Sequence, residues 1–174
     1  MIMILKARPE PGFLFLPWLT AWEVVHILHR MKEIIRYPKC FVCGEQNPSG
    51  LHAKFFEQDG SAVAEIVADS SFEGYKGIYH GGIISTLLDE VMIKAILAQG
   101  IYAVTAEMTI RFRRPVTIGE KLKFSGKVVS RRLRLFSTEG EVTGADGTIC
   151  ASATGKYVEA GEDLRSRLVQ STDA

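Results

Sequence analysis

His80-Gly81-Gly82 opens a strongly apolar run, Ile-Ile-Ser-Thr-Leu-Leu, that ends on Asp89. Glycines at a helix start leave backbone amides bare where the helix dipole gathers partial positive charge, so an oxyanion can be received there. An aspartate two turns into a mostly buried helix is unfavourable unless it is paired, hydrogen-bonded or used in a reaction. Together these groups point to acyl-transfer chemistry, with an amide oxyanion hole and a carboxylate acting as base or nucleophile. Asp89 lies ~10 Å along a helix axis from Gly82 at ~1.5 Å per residue. One small carbonyl cannot readily reach both, so a shared site calls for an antiparallel copy of the helix from a two-fold-related subunit. The opposing possibility is structural: Asp89 pairs with Ser85 or Thr86, and Gly81-Gly82 only permits a tight turn.

His80 suggests a nucleophile–base pair, yet no serine or cysteine nucleophile motif adjoins it, and Ser85 is not on a Gly-x-Ser-x-Gly elbow. A neutral histidine that orients the loop or the substrate carbonyl is the better reading. Arg111-Phe112-Arg113-Arg114-Pro115 sets three guanidiniums at a strand end. Such a cluster can bind phosphate bidentately, or simply be a solvated terminus. Cys40-Phe-Val-Cys43-Gly resembles half of a zinc knuckle, but one chain lacks the remaining ligands, so no metal is expected unless subunits share a site. Redox activity of the pair lacks a thioredoxin context.

These residues need elements to hold them. Thr20-Ala-Trp-Glu23 reads as a capping box opening an N-terminal helix that Tyr37-Pro38 should end. This helix would cover the domain or a neighbour; alternatively, translation begins at Met31. Strands are expected near 51–57 and 62–68, joined through Asp59-Gly60. A buried helix follows over 82–98, closed by Gly100. Four strands complete the pattern near 102–113, 120–132, 134–144 and 147–158. In the first, Val104, Ala106, Met108, Ile110 and Phe112 should share one face, with Thr105, Glu107, Thr109, Arg111 and Arg113 on the other. Residues from Glu159 read as a frayed polar tail. The order β-β-α-β-β-β-β predicts an α+β fold with antiparallel strands wrapped around one helix. It is not a Rossmann pattern.

The 174 residues suit one domain, and 47% hydrophobic with 24% charged residues is ordinary for a globular protein. A formal charge of +1 gives no reason to expect nucleic acid or an anionic membrane as partner. No segment reaches the ~20 apolar residues that span a bilayer. Lys6 and Arg8 precede the apolar run Phe13–Leu19, but Pro17 breaks it and no cleavage pattern follows closely. With three cysteines, an odd number, the expected compartment is the cytoplasm.

The segment His80–Glu90 resembles the signature of PaaI-like acyl-CoA thioesterases of the hotdog superfamily. The likeness extends to Cys40-Phe-Val-Cys-Gly-x-x-Asn47-Pro-x-Gly-Leu51, to Phe72–His80 and to Glu107–Gly119. It covers residues 38–158, leaving 1–37 as an N-terminal extension and 159–174 as a tail. The resemblance implies a hotdog fold, an antiparallel sheet around one long central helix, here with an extra N-terminal helix. It implies a homodimer or homotetramer with interfacial active sites, acyl-CoA as substrate and no cofactor. By position, Gly81 would donate the oxyanion-hole amide and Asp89 of the partner subunit would be nucleophile or general base. His80 and Gly82 would support the carbonyl-binding end, and Thr105 would hold the hydrolytic water. Phe112, Arg113 and Arg114 fall where coenzyme A runs in this family. One departure stands out: some relatives carry an asparagine six residues before the histidine, where this chain has Gly74. Alternatives are an acyl-CoA-binding regulator without turnover, or an enoyl-CoA hydratase or dehydratase.

Overall fold

Gly81–Leu97 forms the central helix, α1, and its sequence explains both its course and its burial. Ile84, Leu87, Leu88, Val91, Met92, Ala95 and Ile96 are buried, so apolar side chains cover most of its circumference and the helix must be enclosed. The structure, a computed structural model, describes residues 31–172. Within them the strands are β1 (Lys32–Glu33), β2 (Phe56–Gln58), β3 (Ser61–Val67), β4 (Glu73–Tyr75), β5 (Ile78–Tyr79), β6 (Ala103–Phe112), β7 (Lys121–Arg132), β8 (Leu135–Gly144) and β9 (Ile149–Glu159). Seven of them make one antiparallel sheet in the order β1-β2-β3-β7-β8-β9-β6, and β4 pairs with β5 apart from it.

The sheet embraces α1 at short range because two glycines make room. A Cβ on Gly126 of β7 would lie 2.5 Å from the Val91 carbonyl oxygen and 2.9 Å from the Met92 nitrogen. One on Gly140 of β8 would lie 2.9 Å from Met92 Cγ. Phe124, Phe136, Val142 and Tyr157 fill the remaining space between helix and sheet, all fully buried. This is the expected α+β layout: the long helix and the β2–β3, β7–β8 and β8–β9 hairpins follow from periodicity and turn residues, whereas β1 and the β4–β5 pair have no counterpart in the sequence reading, and the strand expected near 51–57 forms only at Phe56–Gln58. Asp59 and Gly60 both adopt positive φ, as the hairpin between β2 and β3 requires.

Three expectations are corrected. The expected N-terminal helix lies, up to Arg30, outside the described residues, and residues 31–37 are not helical. There Lys32 and Glu33 pair with Glu57 and Phe56, and buried Ile34 bonds Phe55 through its backbone. Sheet pairing with β2 thus replaces the helix expected over this stretch. The tail from Glu159 is not frayed throughout, since Glu162–Gln170 form α2, whose first turn carries Glu162 and Asp163 where the dipole favours acids. Third, β6 does not alternate uniformly.

A bulge between Thr105 and Glu107 leaves Ala106 without a partner on β9 and resets the pleat. Directly opposed residues share a face. Thr105 opposes Tyr157, while Met108, Ile110 and Phe112 oppose Gly155, Ala153 and Ala151. Since residues 151, 153, 155 and 157 of β9 fall on one side, Thr105 joins Met108, Ile110 and Phe112 on the helix-facing side. Val104 moves to the other.

Candidate active site

The start of α1 is built by His80. It is the N-cap, in extended conformation, and its Nδ1 accepts the Gly82 amide at 2.8 Å. A ring nitrogen that accepts is unprotonated, so the imidazole is neutral with its proton on Nε2. The ring lies against Gly82 so closely that a Cβ there would be 2.9 Å from Nδ1 and Cε1. A Cβ at position 82 would therefore have to push the His80 ring from its cap. Gly74 packs on the other side of the ring, its missing Cβ 3.2 Å from His80 Cδ2. With Gly82 capped, and with Ile83 and Ile84 both donating to the His80 carbonyl, the Gly81 amide is the one at this helix start without a partner among the described residues. An unsatisfied N–H at the positive end of a helix suits a developing oxyanion.

Gly81 opens into a cleft of about 880 Å³ whose lining includes Ile78, His80, Gly82, Ile84, Phe112 and Arg113. The Phe112 ring forms the near wall, 3.5 Å from where a Gly81 Cβ would stand. Of the three arginines only Arg113 and Arg114 reach this cleft. Arg114 is engaged: it clasps the two oxygens of Glu120 at 2.5 and 3.1 Å and donates to the Pro115 carbonyl. That ion pair holds Glu120 below the usual carboxylate range. Arg113 has no ion-pair partner among the described residues, and its guanidinium is the one available to a ligand phosphate in this cleft.

Asp89 is anchored from the sheet. Its Oδ1 accepts Thr105 Oγ1 at 2.9 Å and the Tyr157 hydroxyl at 2.9 Å. The same hydroxyl lies 3.2 Å from the Asp89 carbonyl. Ser85 and Thr86, the partners that a purely structural Asp89 would use, instead donate to the carbonyls of Gly81 and Gly82. No described residue bonds Oδ2, so one carboxylate oxygen is fixed and the other is available. Burial first, then the charge and hydrogen bond of Asp89, push the Tyr157 phenol far above its ordinary value. It stays a proton donor throughout the working pH range.

The structure therefore brings His80, Gly81, Gly82, Phe112 and Arg113 to one cleft, and sets Asp89 with Thr105 at a separate position on α1. Sequence reading missed Tyr157. Its only signal is the pattern Ala151, Ala153, Gly155, Tyr157 on the inner face of β9, where small residues give way to one large polar ring. Leu88 and Met92 are wholly enclosed in the core and do not line the cleft.

Comparison with known proteins bears on the family and the fold. Residues 76–151 match the thioesterase superfamily. A candidate esterase of Saccharolobus solfataricus is 32% identical over 102 residues, 58% of this chain and 72% of that protein. Human acyl-coenzyme A thioesterase 13 is 26% identical over 108 residues, 61% of this chain and 72% of its own. The structure of the PaaI protein of E. coli, from the phenylacetic acid degradation operon, superposes with a TM-score of 0.60 at 24% identity, over 64% of this chain and 81% of that one, and has the same fold. The matches span 64% to 72% of the curated relatives' own lengths.

Proposed function

The chain belongs to the thioesterase superfamily, and we propose that it hydrolyses an acyl-CoA thioester to the free acid and coenzyme A. The observation that carries this reading is that α1 holds both a Gly81 amide and a second Asp89 oxygen that no described residue bonds. The thioester carbonyl would point at the Gly81 N–H from within the cleft. Asp89 of the partner subunit would attack it, or draw a proton from a water that attacks. Charge then accumulates on the carbonyl oxygen, opposite the N–H and the helix terminus, and collapse expels the thiolate of coenzyme A. Thr105 and Tyr157 hold the carboxylate in place, and Thr105 also stands close enough to Asp89 to share that water. His80 works through Gly82, fixing the helix start so that the next amide faces the cleft. Phe112 walls the acyl or pantetheine arm, and Arg113 would meet a phosphate. Arg114, tied to Glu120, shapes this rim.

Two copies are part of this proposal because ~10 Å of helix separates the two halves in one chain. Strand β6 supports it: ten residues long, it is one edge of the sheet among the described residues, with Val104 and Phe112 exposed. A long bare edge is a template for pairing with a second chain. Among the described residues no helix is long and apolar enough to cross a membrane. The cysteines at 40, 43 and 150 are free, and we assign the protein to the cytoplasm.

Thiol release measured across a panel of acyl-CoAs, for the parent and Asp89→Ala, tests the reading. Turnover that survives the substitution would remove Asp89 from the mechanism. A second reading, acyl-CoA binding without turnover, is favoured by Gly74: the cleft wall beside His80 offers no side-chain amide to hold thioester or water. Tight binding with no thiol release across the panel would establish it.

A further inference from the structure

Glu90 and Lys94 follow Asp89 on α1 but turn toward a different neighbour, the Cys40–Cys43 turn. The two sulfurs and a Glu90 carboxylate oxygen all lie within 4.8 Å of one another. Lys94, only 1% exposed, extends its ammonium into the same pocket, 3.5 Å from Cys43 Sγ and 3.5 Å from Glu90 Oε1. It also donates to the Ile35 carbonyl and lies over the rings of Tyr37 and Phe55. The turn is rigidly framed. Backbone bonds tie Phe41 to Leu51 and Val42 to Ala53, and a Cβ on Gly44 would strike the Cys40 backbone at 2.5 Å.

The two cysteines are not equivalent. Cys40 is partly exposed and its sulfur accepts the Val42 amide at 3.3 Å, while Cys43 is fully buried. The adjacent Cys43 thiol, then the Val42 amide and the Lys94 charge, hold the Cys40 thiol far below its ordinary range. The closeness of Cys40, together with burial and the nearby Glu90, raises Cys43. Burial, followed by the Cys40 charge, raises Glu90 against the opposing pull of Lys94 and Cys43, which makes its carboxylate a better proton acceptor.

We propose that Cys40 and Cys43 are a thiol–disulfide exchange centre for low-molecular-weight disulfides, with Cys40 attacking, Cys43 resolving and Glu90 as the base for Cys43. The Cys40 thiolate attacks one sulfur of R–S–S–R, forming Cys40–S–S–R and expelling RS⁻, which takes a proton from water. Cys43 passes its proton to Glu90 and attacks the Cys40 sulfur, expelling the second RS⁻. Two protein thiols are oxidised to one disulfide and the small disulfide is reduced to two thiols. Lys94, whose ammonium bonds Cys43 Sγ, adds a positive charge beside the pair that favours the anionic form of either sulfur. Its ammonium also occupies the cation position among these donors, which disfavours a metal there. The centre does not rest on the hydrolysis proposed above.

Oxidised glutathione is the probe, with the full-length reduced protein. The parent should lose two thiols and gain an internal Cys40–Cys43 disulfide by peptide mass mapping. Cys43→Ser should stop at one glutathionyl group on Cys40, and Cys40→Ser should not react at this turn. Glu90→Gln should slow ring closure about tenfold or more while leaving first attack unchanged. Alkylation of Cys40 by iodoacetamide should be nearly flat between pH 7 and 9, where an ordinary thiol rises about 25-fold. Cys→Ser changes one atom, and circular dichroism confirms folding. A Cys40 pH profile like that of an ordinary thiol would overturn the proposal. So would the absence of a mixed disulfide in folded Cys43→Ser, or one equivalent of tightly held zinc shielding both thiols.

Discussion

A carboxylate with both hydroxyl bonds on one oxygen is positioned without being used up, and that is how Asp89 stands between Thr105 and Tyr157. Removing the phenol frees the carboxylate to rotate. Tyr157→Phe should lower kcat for thiol release about tenfold with KM little changed, since hydrogen bonds to charged groups contribute roughly 1.5–3 kcal/mol. An equal drop in KM would reassign Tyr157 to ground-state strain. Gly81→Pro deletes the unpartnered amide hydrogen at the first helical position, where proline is tolerated. The preceding His80 is already extended, as proline demands. The variant should fold and lose about 100-fold or more of kcat; full activity in a folded protein would dismiss the Gly81 oxyanion hole. These residues were unequally legible. Gly81 and Asp89 share one ten-residue segment whose glycines and lone acid stand out against an apolar background. Tyr157 lies 68 residues away from Asp89, and only the pairing of β6 with β9 discloses that they meet.

At the scale of elements, close approach and charge decide what can change. The helix backbone presses on Gly126, so Gly126→Ala should destabilise by about 2–3 kcal/mol and lower the melting temperature by roughly 10 °C. An unchanged melting curve would mean that α1 can retreat from β7. Arg114 holds Glu120 below the ordinary carboxylate range. A depressed folded-state pKa gives stability that is present above the unfolded value, about 4.3, and lost as pH falls through the folded one. Glu120→Gln should therefore be about 1 kcal/mol less stable than the parent at pH 7. The gap should close in acid; if it persists at pH 2 to 3, charge is not its origin. Hairpins and the long helix were readable because their signals are local: Asp59-Gly60, Ala145-Asp146-Gly147, and apolar spacing. The strand at Lys32–Glu33 was not, because two residues carry no period and their reason for extending is β2, more than twenty residues away.

The whole molecule is proposed to act as a pair, and mixing can tell. Gly81→Pro and Asp89→Ala should each be inactive alone. Dissociated and reassociated together, half of the dimers would be mixed, each with one wild-type site of two, restoring about a quarter of parental activity. No recovery, with mixed dimers demonstrated by mass spectrometry, would put both groups of a site in one chain. Helix geometry in the sequence calls for a pair of chains if the two groups form one site, since one helix cannot readily serve both ends of a small carbonyl. It could not indicate which edge would meet the second copy, because edge status emerges only when β6 crosses to lie beside β9.

The unpaired Ala106 gives β6 a sensitivity that is to count rather than to kind. Many substitutions there would leave the strand's parity untouched. Deleting this one small, exposed residue would keep every large apolar side chain in the sequence, yet force a choice between the two ends of the strand. Either Thr105 turns away from Asp89, or the stretch ending at Phe112 leaves the cleft wall. Insertions and deletions, usually tolerated best in loops, would here discriminate a hydrolase from an inert scaffold more sharply than many replacements of charged surface residues.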